Sequence, residues 1–305
     1  MCSATSRTPR PSLRSGDFHL RSPRLAAAAR PSPRPLPPGE RGPRERSVRW
    51  REWSPPAITI LVTLVAWEAW VVGFRVREYL LPAPSGILAV LAAEWRYLAL
   101  HTGVTVYEIL WGFFLSIVVG IPLAIVIVYS PVLERAIYPL LVAAQSVPKI
   151  AIGPLLIVWA GLGIFPKVLV AFLIAFFPVV IDTVAGLRSV EPEMLHLARS
   201  MGASEWRVFL KIRLPNALPN IFAGLKVAVT LAVVGAIVGE FIQADRGLGY
   251  ALLQASAMLN TKLAFASILI LAGIGTVLFV IVDWIERLLI PWHASQRVET
   301  AAGTL

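Results

Sequence analysis

The run Val104-Thr-Val-Tyr-Glu-Ile-Leu-Trp-Gly-Phe-Phe-Leu-Ser-Ile-Val-Val-Gly-Ile-Pro-Leu-Ala-Ile-Val-Ile-Val128 carries one charge, Glu108, in 25 residues. A bilayer core about 30 Å thick is crossed by roughly 20 apolar residues in a helix. In lipid the backbone finds no water, so a run of this length must satisfy its own amides as a helix. Five more runs follow the same rule: Ala57 to Phe74, Ala136 to Leu162, Val168 to Leu187, Ala217 to Phe241 and Ala264 to Val282, the last without a charge. The period-2 alternation of a membrane barrel is absent from all of them. The expected fold is an all-α polytopic membrane protein of about six transmembrane helices.

Composition agrees. Of the 305 residues, 57% are hydrophobic and 15% charged, and mean hydropathy is +0.71. Soluble domains hold roughly 25% charged residues, so a soluble globular enzyme is all but excluded. The net charge of +10 is uneven: residues 1–56 hold 12 Arg against four acids, and the remainder is nearly balanced. Three regions are therefore expected: an Arg/Pro-rich tail over 1–56, a transmembrane domain over 57–292 and a short C-terminal tail over 293–305. The first tail has 11 of the 24 prolines, including Arg30-Pro-Ser-Pro-Arg-Pro-Leu-Pro-Pro38, and cannot bury enough apolar surface to offset its ordering entropy. It reads as a disordered cytoplasmic tail, or as the product of a start codon set too far upstream. A transit peptide or nucleic-acid arm would also be Arg-rich, but the proline density opposes the amphipathic helix of a transit peptide. No cleavable signal peptide is expected, because the first apolar run begins at Ala57. Cys2 is the single cysteine, which excludes an intrachain disulfide and a cysteine-based metal site.

Positive charges near the spans set orientation. Arg41, Arg44, Arg46, Arg49 and Arg51 precede the first span. Together with Arg135, the loop at 188–215 and the C-terminus, they give 13 cationic residues on one side against six on the other. Both termini are predicted to be cytoplasmic.

Between the fourth and fifth spans lies Arg188-Ser-Val-Glu-Pro-Glu-Met-Leu-His-Leu-Ala-Arg-Ser-Met-Gly-Ala-Ser-Glu-Trp-Arg-Val-Phe-Leu-Lys-Ile-Arg-Leu-Pro215. It is too polar to span and reads as two short helices. Pro192 suits a first helical turn, with Glu191 and Glu193 beside the positive end of the helix dipole. Gly202 suits the position after a helix where φ turns positive, Ser204 is a candidate cap for the second helix, and Pro215 is expected to stop it. Leu195, Ala198 and Met201 are expected to share a face of the first helix, and Trp206, Phe209 and Leu210 of the second. Such a knob fits a groove in a soluble partner; an amphipathic segment resting on the membrane surface would use the same pattern.

The spacing resembles the cytoplasmic motif of permeases of ATP-binding-cassette importers: Glu-Ala-Ala, three residues, Gly, nine residues, Ile, one residue, Leu-Pro. Ala198, Gly202, Ile212, Leu214 and Pro215 fall in register, whereas His196 and Leu197 replace the Glu and first Ala. The resemblance covers about 57–292 and extends to Trp67-Glu68, Leu81-Pro-Ala-Pro84, Ser146-Val-Pro-Lys-Ile-Ala-Ile-Gly-Pro154, Trp159-Ala-Gly-Leu-Gly163, Phe176-Phe-Pro178 and Gly247-Leu-Gly249. These stretches are similar to the branch serving aliphatic sulfonates, taurine and nitrate, and the pyrimidine precursor of thiamine and riboflavin. The segment Gly239-Glu-Phe-Ile-Gln-Ala-Asp-Arg-Gly-Leu-Gly-Tyr250 resembles the vitamin-precursor members more closely. The resemblance implies an inner-membrane permease with no cofactor. It also implies a separate ATPase subunit, a second permease chain that is most simply identical, and an extracytoplasmic substrate-binding protein. His196, Leu197, Ala198, Gly202, Ala203, Ile212, Leu214 and Pro215 would engage the ATPase. Lipid is the remaining partner, and none is a nucleic acid.

No Gly-x-x-x-x-Gly-Lys-Ser/Thr phosphate loop occurs; Gly161-Leu-Gly-Ile-Phe-Pro-Lys167 has Pro166 in place of the glycine. His101, His196 and His293 are isolated, and no cluster has metal-ligand spacing. Glu68, Glu108, Lys149, Asp182, Lys226 and Glu240 lie in or near spans, where a charge costs roughly 2.5–3.5 kcal/mol on insertion scales. They are expected to pair or snorkel; an ion relay in a secondary transporter, built on Glu68, Glu108 and Asp182, is the rival reading. Pro148, Gly153 and Pro154 interrupt the third span and, with Trp159 and Glu240, are the candidates for lining a route. Trp159 could stack on a flat substrate ring or anchor at the membrane interface.

Overall fold

A computed structural model describes residues 45–243 and 245–291, so the expectations for residues 1–44 and 292–305 lie outside it. Residues 1–56 and 57–305 form separate units. The described part of the first is the beginning of α1 (Glu45–Gly73). In the second follow α2 (Pro84–Ala93), α3 (Trp95–Tyr129), α4 (Pro131–Ala144), a 3₁₀ turn (Lys149–Ile152), α5 (Gly153–Ala160) and α6 (Ile164–Arg188). After them come α7 (Pro192–Ser200), α8 (Glu205–Val208), a π turn (Phe209–Arg213), α9 (Leu214–Ile242), α10 (Leu248–Ala257) and α11 (Thr261–Leu289). No strand occurs among the described residues.

Among the described residues, four helical stretches are long and apolar enough to cross a membrane: α3, α6, α11 and the continuous Glu205–Ile242. The first expected span is represented by a shorter apolar helix, Ile58–Gly73. The third, read as one run over 136–162, is instead two helical pieces bent by 91°. The cause lies in the sequence at the break. Pro148 is extended, at φ −67° and ψ 91°, and lacks an amide hydrogen, while Pro154 fits only the first turn of a new helix.

The centre is a three-helix packing set by small residues. Gly112 and Gly120 of α3 face Ala171 and Val179 of α6 in the same chain direction. Gly224, Gly235 and Gly239 of α9 face Asp182, Ala171 and Lys167, in descending order, so α6 and α9 run antiparallel. Ala171 is thus pressed from both sides by helices that can approach only because Gly112 and Gly235 have no side chain. Ile109, Ala171, Val179, Ala228, Ala232 and Leu248 belong to the buried core around this crossing. The outward faces carry exposed Trp111, Phe114, Val118 and Val119 on α3 and Leu269, Val277 and Val280 on α11, as a lipid-facing surface requires.

The membrane-embedded charges are mostly engaged. Lys226 of α9 is 2.5 Å from both Asp283 and Glu286 of α11. Arg188 at the end of α6 pairs with Glu134 of α4 and lies over the Tyr138 ring. Glu68 of α1 accepts the amide and hydroxyl of Ser85 at the start of α2. Lys149 donates to the Gln145 carbonyl at 3.0 Å.

Candidate functional site

At one end of the bundle, α7 and α8 make an elbow between α6 and α9. Pro192 opens α7 with no amide to satisfy, and Glu193 stands in its first turn. The chain then reverses at Gly202, where φ is +75°, the Gly202 amide donates to the Arg199 carbonyl and the Ala203 amide to that of Ala198. An Arg199–Glu205 ion pair of 2.8 Å ties the two helices across the corner. Ser204 occupies the position before α8, but its side chain makes no capping bond, contrary to the sequence expectation.

The elbow is anchored through Phe209, which is buried, stacks with Trp206 at 5.8 Å and meets the edge of Tyr129 of α3 at 6.0 Å. Arg213 lies over the same Tyr129 ring. Leu195 and Ala198 are half-buried, but Met201 is 78% exposed, because α7 ends at Ser200 and Met201 leaves the helical period. Leu210 likewise turns outward while Phe209 turns in. Met194, Leu197, Met201 and Trp206 form an exposed apolar surface on the elbow among the described residues. Among the residues singled out by spacing, His196, Leu197 and Gly202 are exposed, and Ala198, Ala203, Ile212, Leu214 and Pro215 are half-buried.

Pro215 does not stop the second helix. The Leu214 amide reaches back to the Phe209 carbonyl, a five-residue π turn, and Pro215 falls in the first turn of α9, where its missing amide costs nothing. Helix therefore runs on from the elbow into the span.

At the opposite end, a buried polar cluster holds the turn between α9 and α10. Glu240 accepts the Gly249 amide and lies 2.6 Å from the Thr105 hydroxyl. Thr105 in turn accepts the Leu248 amide at 2.8 Å, and His101 Nδ1 accepts the Gly247 amide at 2.9 Å. Gly247 has φ +121°, and a side chain there would occupy the space of the Glu240 carboxylate. Beneath lie Glu108, fully buried, and Lys167, 6% exposed, with Nζ 3.5 Å from the Glu108 carboxylate.

Of this cluster the sequence reading singled out Glu240 as a route residue; the structure places it under the turn, 1% exposed, as an acceptor for backbone and hydroxyl donors. His101, read as isolated, belongs to the cluster. Its signal was available: His101, Thr105 and Glu108 stand at i, i+4 and i+7 on α3, one helical face. Pro148, Gly153 and Pro154 lie at the bend between α4 and α5, where Gly153 is buried against the Ile242 side chain. Trp159 stands 72% exposed at the end of α5. Near it, Leu162, Gly163, Lys167, Gln243 and Asp245 line a cavity of about 370 Å³.

Residues 112–292 match the family model described as binding-protein-dependent transport system inner membrane component. The formylaminopyrimidine transport permease protein ThiX of Halalkalibacterium halodurans is 36% identical over 244 residues, covering 79% of this chain and 96% of the relative. The riboflavin transport system permease protein RibX of Chloroflexus aurantiacus is 36% identical over 269 residues, covering 85% and 98%. The taurine transport system permease protein TauC of Escherichia coli is 31% identical over 246 residues, covering 77% and 88%. Among solved structures, an inward-facing MetNI methionine ABC transporter chain superposes with a TM-score of 0.57 at 20% identity, covering 64% of this chain and 97% of that one.

Proposed function

The chain belongs to the binding-protein-dependent transport system inner membrane components, the permeases of ATP-binding-cassette importers, and from that premise we propose that it forms the translocation route for a vitamin-like heterocycle, riboflavin or a thiamine pyrimidine precursor. The relatives named for those cargoes share 36% identity, against 31% for the taurine permease, which supports the heterocycle over a sulfonate, taurine or nitrate carried by the same machinery.

The observation that carries the mechanism is the elbow. Its exposed Met194, Leu197, Met201 and Trp206 form the knob that a separate ATPase subunit would grip, and Phe209 with Tyr129 fixes that knob to the spans. In this reading the elbow end is cytoplasmic, both termini are inside, and the turn at 247–249 faces out toward a substrate-binding protein. Two permease chains surround the route. ATP-driven closure of two ATPases draws the elbows together, and the spans rock between outward-open and inward-open states.

Both carboxylate oxygens of Glu68, one of the three acids such a relay would use, are held by Ser85, which speaks against an ion-coupled carrier. The test is co-purification of the tagged chain with neighbouring gene products, then ATP hydrolysis with binding proteins loaded with riboflavin, the pyrimidine precursor or taurine. A stable ATPase partner stimulated by one loaded binding protein is the expected result. A chain that purifies alone and moves solute down an ion gradient would overturn the reading.

A further inference from the structure

Between 216 and 234 the exposed residues of α9 are Asn216, Asn220, Ala223, Val227, Thr230 and Val234, spaced by threes and fours, so they form one stripe along the helix. At the elbow end this stripe is the floor of a cavity of about 820 Å³, which Ser189, Lys211 and Glu286 also line. Its chemistry differs from the lipid-facing surfaces of α3 and α11, which carry large apolar side chains. Thr230 satisfies its hydroxyl on the Val227 carbonyl at 2.8 Å. Asn216 gives one hydrogen to Ser189 Oγ at 2.9 Å, and Asn220 makes no hydrogen bond among the described residues. A carboxamide offers two donors and an acceptor, and hydrocarbon would meet none of them. Water would meet them all.

A carboxylate stands beside these amides. A Cβ at Gly224 of α9 would be 2.7 Å from the Asp182 Cβ and 2.9 Å from its Oδ2; in return, a Cβ at Gly186 of α6 would be 2.9 Å from that of Asn220. Each helix is thus notched by a glycine opposite the other's polar residue. Asp182 and Asn220 are therefore one turn apart, about 6 Å of rise. Asp182 is half-buried and, among the described residues, has neither a hydrogen bond nor a cation within 4.0 Å. Other charges of this half of the bundle are engaged elsewhere: Arg188 with Glu134, Lys226 with Asp283 and Glu286, and Arg287 with Asp283. Lys211 lines the elbow end of the cavity, about 13 Å from Asn220 along the helix axis.

We propose that the α9 stripe is a water-lined wall of the translocation route and that Asp182 and Asn220 form a polar pair on it. Asp182 gives that point of the wall a negative potential, which favours hydrogen-bond donors and positive charge on a passing solute. The proposal deepens the function given above and rests on it.

The experiment uses the purified permease–ATPase complex in lipid nanodiscs, with the single cysteine removed by Cys2→Ser. New cysteines replace Ala223 and Val234 on the stripe, and Val277 and Val280 on the lipid-facing surface of α11. Each is treated with two membrane-impermeant methanethiosulfonates, one bearing a trimethylammonium group and the other a sulfonate. A thiol must ionise to react, so Ala223→Cys and Val234→Cys react at least about tenfold faster than Val277→Cys and Val280→Cys. At Ala223→Cys the cationic reagent is favoured, relative to the rates of the two reagents on free cysteine. Adding Asp182→Asn lowers that preference by about threefold or more in low salt. Asp182→Asn keeps the shape of the side chain, and an unchanged unfolding temperature separates lost charge from lost folding. Stripe cysteines as slow as those at Val277 and Val280, the result of a dry contact with lipid or with a second copy of the chain, overturn the wall. If a loaded binding protein still stimulates ATP hydrolysis in that preparation, the permease reading survives. A cation preference equal with and without Asp182 overturns the part assigned to the pair. Fast, cation-favouring reaction in a chain that purifies with no ATPase partner would uphold the water-lined wall and sink the permease reading instead.

Discussion

Gly112 of α3 and Ala171 of α6 meet so closely that a Cβ at 112 would stand 2.5 Å from the Ala171 Cβ and 2.9 Å from the Phe172 amide nitrogen. No side-chain rotation relieves such a contact, because part of the obstacle is backbone. Gly112→Ala is expected to destabilise the bundle by about 1–3 kcal/mol, the usual cost of overpacking. Gly73→Ala, where nothing lies within 4 Å, serves as the control and leaves stability unchanged. Thermal unfolding in one detergent reads both; equal midpoints would contradict the packing described.

Glu240 is expected to act on the turn at 247–249 rather than on solute. Glu240→Leu leaves the Gly249 amide without its acceptor, at about 1–3 kcal/mol for the buried group left unmade, and the Thr105 hydroxyl with the His101 carbonyl at 3.2 Å. Hydrogen exchange at Leu248 and Gly249 accelerates in this variant, and Glu240→Gln, which keeps an oxygen, is intermediate. Unchanged exchange with lost uptake would instead assign Glu240 to the route.

Gly202→Val forces a β-branched residue to a φ of +75°, a left-handed backbone that costs roughly 1–2 kcal/mol in an L-residue. The variant inserts normally but loses stimulation of ATP hydrolysis, while Gly202→Asn, a residue tolerant of that region, retains most of it. Wild-type stimulation by Gly202→Val would show that the elbow does not depend on its corner.

Lys226 sits between Asp283 and Glu286, both at 2.5 Å and all three partly shielded. Lys226→Met leaves two facing carboxylates and is expected to lower stability by about 1 kcal/mol, a figure kept small by solvent access. Adding Asp283→Asn and Glu286→Gln removes the repulsion and restores most of the loss in a denaturation series. A triple variant weaker than the single one would mean that the 2.8 Å Arg287–Asp283 pair, lost with Asp283→Asn, outweighs the repulsion removed.

The parts legible from sequence were those fixed by local chemistry. Long apolar runs must be helices in lipid, and Pro192 and Gly202 mark the ends of α7 by backbone geometry alone, so the long spans α3, α6 and α11 and the corner of the elbow were readable. Legibility ended where the outcome depended on neighbours distant in the chain. Pro215 reads as a stop, yet a π turn at Phe209–Arg213 realigns the hydrogen bonds and lets the helix pass. Met201 continues the spacing of Leu195 and Ala198 but lies beyond the last turn of α7. The buried polar cluster under the 247–249 turn joins α3, α6 and α9, and only the i, i+4, i+7 face of His101, Thr105 and Glu108 hinted at it. The bend after α4 was visible as Pro148, but its angle depends on how α5 settles against Ile242.

The uninterrupted helix from Glu205 to Ile242 is a mechanical element as well as a span. Its 38 residues give a strut about 57 Å long at roughly 1.5 Å per residue. Close contacts at Gly224, Gly235 and Gly239 splint it to α6 over about 22 Å of that length. A push at Trp206 therefore cannot be absorbed between the two faces of the membrane; the strut and its splint tilt as one stiff body. Compliance is expected elsewhere, at α4, which buries none of its residues fully and is followed by the 91° break.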